Sequence, residues 1–373
     1  MKKTNIIFIV FFFVMILIPI LLFENGKDVS SEIDNRKLAE NPLGNDKIVE
    51  DVGSLTAAVD NYVTDRIGLR NFFIRSYTIL NDKLFNVMVH PTYEYGEDGY
   101  VFFKGSTGNR PDYEDFYELF IKMLVQINDY CKKRNVPFYF VFEPSKSSVM
   151  TDKINSGINY DVSWIDKFLQ DVENNGITLV DNYALMKEKY EEGEQVFNKK
   201  YDAGHWNYLG AFYGVNNILS YMKKDFPKIH MNEESEFIIT EEEYTSLPVS
   251  EFPIKEKTLN YIIKSKIDEF TDKYINNLKI NQVYNYFKYY NNNTQKNNSP
   301  KTLVFQGSYM NGYGYKFFQN ALSDYIAIHS YDNIFDFEYY FNYFKPEAVV
   351  FEVTEYALYN TYFNKEKMAN FTL

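Results

Sequence analysis

Val136-Pro137-Phe138-Tyr139-Phe140-Val141-Phe142, closed by Glu143-Pro144-Ser145-Lys146, is the stretch that decides the fold. An apolar run with no polar alternation describes a strand covered on both faces, the mark of a parallel sheet. Helical spacing of apolar residues precedes it from Asp112 to Arg134. After it the same alternation returns: a helix over Val162 to Asn174, a strand at Ile177-Thr178-Leu179-Val180-Asp181, and a helix over Tyr183 to Tyr190. A helix from about Leu209 to Met222 follows. Further along come a strand at Thr302 to Gln306, a helix over Tyr313 to Leu322 and a strand at Tyr325-Ile326-Ala327-Ile328. A helix over Phe335 to Phe344 and a strand from Ala348 to Val353 complete the series. Strands alternating with helices predict a three-layer α/β domain, a mostly parallel sheet with helices on both faces. Right-handed crossovers then gather the strand-to-helix loops along one edge, where open sheets bind ligands.

The block from about 230 to 300 breaks this alternation with acidic and Asn-rich sequence and reads as an insertion. Its Asn291-to-Ser299 tract reads as a loop or disordered excursion. Toward the N-terminus, Gly96-Glu97-Asp98-Gly99 is a turn feeding a short strand to Phe103. Between Leu55 and Val89 apolar residues recur at three and four positions (Val59, Tyr62, Val63, Ile67, then Phe72, Phe73, Tyr77, Leu80, Leu84). They predict two helices split near Gly68, with Arg66 and Arg70 at the join as candidate contacts for an anionic group. Residues 24–55 are polar and read as a stalk.

Lys2 and Lys3 precede an apolar run from Ile6 to Phe23, which at about 1.5 Å per residue reaches roughly 27 Å, close to the thickness of a hydrocarbon core. The lysines favour a cytoplasmic N-terminus, and no small-x-small cleavage site follows Phe23-Glu24-Asn25. The expectation is a cytoplasmic tail at 1–5, a retained signal anchor at 6–23, and an extracytoplasmic domain at 56–373, single-pass in the cell membrane.

Asp and Glu number 51 against 39 Lys and Arg, a net charge of −12 that argues against nucleic acid as partner. The single cysteine, Cys131, excludes an intrachain disulfide framework and a Cys-rich metal site. With four histidines and no H-E-x-x-H, a zinc hydrolase is not the expectation, and no metal or cofactor is expected.

The chemistry sits in Asp202-Ala203-Gly204-His205-Trp206. A histidine acting as base needs a carboxylate to set its tautomer and stabilise its protonated form, and Asp202 is placed to serve His205. The nucleophile comes a hundred residues later, where Leu303-Val304-Phe305 leads to Gly307-Ser308. Each motif is ordinary by itself, since Gly-Ser is common turn chemistry. Convergence on one sheet edge makes Ser308, His205 and Asp202 a candidate acyl-transfer triad. Gly307 and Asn311 are the oxyanion candidates, at a turn whose backbone N–H groups face a developing charge. Trp206, Lys146 and Tyr309 are candidate substrate contacts, Trp206 as a platform for a sugar ring. Ser106, Ser145 and Ser147 are rival nucleophiles; His90, His230 and His329 lack an Asp placed as Asp202 is.

At these residues the chain resembles the SGNH-hydrolase-like proteins of the alginate O-acetylation type, the AlgX/AlgJ-like or DHHW proteins. The resemblance runs through Asn35-Arg36-x-Leu38, Asp65-Arg66-Ile67-Gly68-Leu69-Arg70, the Gly96-to-Phe103 turn and Pro144-Ser145-Lys146. It continues through Asp202…His205-Trp206 with Gly210-Ala211, Ser308 after a strand, and Glu352-Val353-Thr354-Glu355-Tyr356-Ala357-Leu358. Chain order Asp, His, Ser is shared with that family, whereas ordinary SGNH esterases carry the Ser first. Two departures stand out: the family's Asp-x-His-Trp has one more residue here, and its Gly-Asp-Ser-Phe is Gln306-Gly307-Ser308-Tyr309. The resemblance implies an SGNH-like, flavodoxin-like sheet. It also implies O-acetylation of a cell-surface or secreted polysaccharide, with a multispanning membrane-bound O-acyltransferase as donor. A carbohydrate esterase with the same triad, a D-alanyl-transfer accessory for teichoic acid and a non-catalytic polysaccharide-binding or assembly subunit are the other readings.

Overall fold

The run Phe138–Glu143 forms β1, buried along its whole length. The later strands of its sheet are β2 (Thr178–Asp181), β3 (Asp268–Glu269), β4 (Phe287–Asn291), β5 (Lys301–Gln306), β6 (Asp324–His329) and β7 (Ala348–Thr354). Their spatial order is β2-β1-β7-β5-β6-β4-β3. The first five run parallel; β4 lies antiparallel on β6, and β3 antiparallel on β4. The expected three-layer α/β architecture is the one found. This computed structural model describes residues 3–24, 30–31, 33, 36–42, 52–104, 113–155, 157, 160–248, 251–279 and 287–373. Asn35 and the rival nucleophile Ser106 lie outside them.

Apolar residues on both faces of the central strands explain the continuous runs. Phe140, Phe351 and Phe305 stand in register on β1, β7 and β5, with ring centroids 6.0 and 6.4 Å apart. Phe120 and Phe168 cover that row, from the helices Tyr113–Lys132 and Ser163–Asn174, together with Phe337 from the helix Phe337–Phe344. On the other face Tyr325 packs against Phe318 of the helix Tyr315–Ala321, which abuts the helix Tyr208–Met222. Strand alternation sends consecutive side chains into opposite layers, so one apolar run feeds two cores.

The block at 230–300 is less separate than its composition suggests. Asp268–Glu269 and Phe287–Asn291 are strands of the main sheet, and the Asn-rich tract is ordered. Asn292 is buried, its N–H donating to Ser323 O and its Nδ2 to Asn320 O, both at 2.8 Å. Asparagine serves here as an internal cap for backbone groups, a role composition cannot distinguish from solvation.

The chain divides into two units, 1–95 with 244–255, and 96–243 with 256–373. The second holds the sheet. The first holds α1 (Lys3–Leu21), α2 (Val52–Arg66) and α3 (Arg70–Phe85). α1 is apolar, with mean hydropathy 2.8, and exposed on all sides save at Pro19. The expected helix pair split near Gly68 is present, Leu69 adopting a left-handed φ of 62°. Asp65 and Arg66 hold the polar lead-in: Ala39 N–H donates to Asp65 Oδ2 at 2.8 Å, and the Arg66 guanidinium to Ala39 O at 3.2 Å.

Candidate active site

β5 delivers Ser308 at the C-terminal edge of the sheet, one residue past Gly307, where the chain turns into a π-helical segment Met310–Gly314. A wide turn of this kind is frequent at functional sites. His205 arrives from a loop whose ends are pinned by a bridge between Phe197 and Trp206. Trp206 is the anchor. Its ring lies over Gly214, where a Cβ would come within 2.2 Å of it, and its Nε1–H donates to Tyr309 O at 3.2 Å. Asn207 then caps the following helix, accepting from Gly210 N–H at 3.0 Å.

Asp202 takes a left-handed φ of 57°, which folds the two intervening residues back and brings its carboxylate under the imidazole. Its Oδ1 accepts from His205 Nδ1–H at 2.6 Å and from the His205 backbone N–H at 3.1 Å. Its Oδ2 accepts from Tyr313 O–H at 2.8 Å. His205 Nε2 is 2.7 Å from Ser308 Oγ, and Tyr356 O–H lies 2.5 Å from that same oxygen. With Nδ1 donating to Asp202, Nε2 accepts from Ser308, and the Tyr356 hydroxyl is left to donate to Oγ.

The electrostatics follow from that geometry. Burial works against ionising both members, but the mutual charge and hydrogen bond prevail. Asp202 is held below, and His205 above, its ordinary range, as suits a base that must carry a proton briefly. Burial raises the Tyr356 phenol, which stays protonated and a donor. The strained Asp202 turn is clamped from behind. Glu256 accepts from the successive N–H groups of Lys199, Lys200 and Tyr201 at 2.6, 2.7 and 2.5 Å. Lys146 Nζ donates to Lys199 O at 3.0 Å and Val101 O at 2.8 Å.

Several expected contacts are therefore corrected. Trp206, Lys146 and Tyr309 are essentially inaccessible, each held by partners within the protein. Trp206 packs the loop onto its helix instead of offering a sugar platform. Lys146 is a buried tie whose pKa desolvation lowers to about 7, against the charges of Glu256 and Asp202. Tyr309 donates to Pro144 O and Gly204 O. The Gly307 N–H is not available to an oxyanion, since it donates to Glu352 Oε2 at 2.5 Å. Arg66 and Arg70 belong to the first unit, where Arg66 is buried and lies 4.8 Å from the Tyr62 ring centre. Asn311 is half-buried beside the turn, its Oδ1 accepting from Gln306 Nε2 at 2.5 Å, which leaves Nδ2 as a donor. Ser145 and Ser147 are buried. His90 accepts from Thr92 and Tyr93 N–H, His230 pairs with Glu236, and His329 donates to Gln306 O. Among the described residues no group of three or more His, Cys, Asp or Glu is placed to hold a metal ion. Sequence reasoning missed Tyr356, Tyr313, Glu352 and Glu256; only Glu352 and Tyr356 lay in a segment singled out beforehand.

Comparison with known proteins agrees with this architecture. Residues 94–248 match the family model described as SGNH hydrolase-like domain, acetyltransferase AlgX. That span contains Asp202 and His205. Over that span the chain is similar to the AlgX-type SGNH hydrolase-like family. No curated protein matches it. Among solved structures, Bacillus cereus PatB1 carrying a sulfonyl adduct is similar at TM-score 0.57 and 17% identity, over 74% of this chain and 98% of that one. The O-acetyltransferase domain of Pseudomonas putida AlgJ is similar at TM-score 0.50 and 13% identity, over 75% and 99%. At these identities the likeness is one of fold.

The glycine before Ser308 has a steric cause. A Cβ at Gly307 would fall 2.0 Å from the Tyr331 hydroxyl. Tyr331 thus fills the space of an aspartate side chain at that position, and Glu352 engages the backbone from below. Glu352 is wholly buried, and desolvation pushes its carboxyl up to about 8, against the Gly307 hydrogen bond and the His205 charge. A raised carboxyl favours the neutral form. Its contribution to stability is whole below the ordinary carboxylate range and is lost as pH rises through about 8. Glu352→Gln, which keeps an acceptor for Gly307, is expected to be the more stable form at pH 9 by a few kcal/mol and to lose that advantage at pH 4. Urea midpoints at the two pH values check this; equal shifts at both would contradict it.

Proposed function

We propose that this protein is a membrane-anchored, extracytoplasmic serine acyltransferase that places acetyl groups on hydroxyls of a cell-surface or secreted polysaccharide. The observation that carries the reading is the unbroken relay from Asp202 through His205 to Ser308 Oγ, at 2.6 and 2.7 Å. Ser308 Oγ attacks the acetyl carbonyl carbon while its proton passes to His205 Nε2, and Asp202 steadies the imidazolium. Asn311 Nδ2, held by Gln306, and the N–H groups of the first turn after Gly307 are the donors suited to the oxyanion. Collapse expels the donor's leaving group, which takes the proton from His205, and acetyl-Ser308 remains. A sugar hydroxyl then gives its proton to His205 and attacks the acetyl carbon, and the departing Ser308 Oγ takes that proton back from His205. Tyr356 holds Oγ in line through both halves.

The apolar helix α1 supports the anchor reading, and a multispanning acyltransferase partner is the acetyl donor proposed for such a tethered enzyme. A fluorosulfonyl probe followed by peptide mapping tests the nucleophile, with label expected on Ser308 and lost in Ser308→Ala; label on Ser145 would sink the assignment. Feeding the labelled-acetyl ester with and without oligosaccharides separates transfer from hydrolysis. Free acetate that stays constant as acceptors are added, with no acetylated sugar, would identify an esterase. An unreactive Ser308 would favour a binding subunit.

A further inference from the structure

α3 exposes an apolar stripe. Two polar positions face the rest of its unit, together with the half-buried Ile74 and Ile79: Thr78 is 2% exposed, and Asp82 accepts from Tyr95 O–H at 2.8 Å. A set of its large apolar positions faces outward. Phe73, Tyr77, Leu80 and Leu84 recur at four, three and four residues, so they share one side of the helix, and they are 42% to 64% exposed. A helix on a water-facing surface does the opposite, and a contiguous exposed apolar stripe marks an interaction site.

The same unit indicates what covers it. The elbow between α2 and α3 is seated on the last turn of α1. Gly68 N–H donates to Pro19 O and Glu24 N–H to Arg66 O, both at 2.9 Å, and the rings of Phe23 and Tyr62 lie 6.0 Å apart. A Cβ at Gly68 would come within 2.5 Å of Leu22, so glycine is what allows this approach. With α1 across the bilayer, its C-terminal end stands at the outer boundary of the hydrocarbon, and the start of α3 stands there with it. Arg70 and Lys83 flank the stripe, while the one acid of α3, Asp82, is bonded to Tyr95 within the unit, in a chain of net charge −12. Cations flanking an apolar stripe suit lipid phosphates and acyl chains together.

We propose that the apolar face of α3 lies in the outer interfacial layer of the membrane, giving the protein a spanning helix and an interfacial helix joined at Gly68. This rests on the anchor reading above. The test uses the full chain in vesicles of phosphatidylcholine and phosphatidylglycerol, with the buried Cys131 replaced by alanine. Single cysteines at Phe73, Leu80 or Leu84 carry an environment-sensitive fluorophore, and Lys133, exposed in the other unit, is the control position. Doxyl-labelled lipid is expected to quench the three stripe positions several-fold more than Lys133, and an aqueous quencher to do the reverse. Leu80→Glu is expected to abolish lipid quenching at Leu84 while the chain still floats with the vesicles. A stripe as open to the aqueous quencher as Lys133 overturns the proposal, as does a stripe shielded from both quenchers by a second copy. A chain that fails to float overturns the anchor reading itself.

Discussion

Ser308→Ala is expected to lower turnover of a small acetyl ester by about 10⁴-fold or more, and His205→Ala by a similar factor. The reason is the shared proton. Ser308 Oγ and His205 Nε2 are 2.7 Å apart, so removing either leaves the other without a partner in the attack. The double variant should therefore be no slower than the worse single one, because residues acting as a unit are not additive. Asp202→Asn is expected to cost about as much, since an amide donor facing Nδ1 favours the imidazole tautomer that cannot accept from serine. Tyr356→Phe removes one donor to Oγ and should cost only about 10²-fold, the usual scale for a single lost hydrogen bond to the reacting group. Burst kinetics separate acylation from release. Retained turnover in His205→Ala would exclude this site.

Trp206→Ala is expected to destabilise the protein by about 3–5 kcal/mol, the range for removing a large buried aromatic. Its ring is fully buried, fills the space that Gly214 leaves open, and ties the base-bearing loop to Tyr309 by a hydrogen bond. The lost volume cannot be refilled by its neighbours without moving the loop, so activity should fall together with stability. Trp206→Phe should recover much of the stability, because most of the contact area returns while the indole donor does not. Urea unfolding in mild detergent measures the first effect and acceptor KM the second. A stability change near zero with a raised acceptor KM would restore the sugar-platform reading.

Some of this was legible in the residues alone. The apolar runs at Phe138 and Ala348 require two covered faces, and covered faces with intervening helices leave a parallel sheet as the solution. Apolar length from Ile6 to Phe23 fixes a helix of membrane-spanning size, whatever packs elsewhere. Candidate triad members could be named because acyl transfer needs a base, its carboxylate and a hydroxyl, and few residues offered them. Burial was another matter. Whether Trp206, Lys146 and Tyr309 meet substrate or core depends on residues far along the chain, Tyr309, Val101 and Pro144 in turn, so local sequence says nothing of it. The order of the Asn-rich tract around Asn292 likewise comes from Ser323 and Asn320. Only the folded chain sets Tyr331 against Gly307, Glu256 behind Asp202 and Tyr356 on Ser308. Contacts between residues tens to a hundred positions apart leave no period or spacing in a sequence; they exist only once the sheet brings its strand ends together.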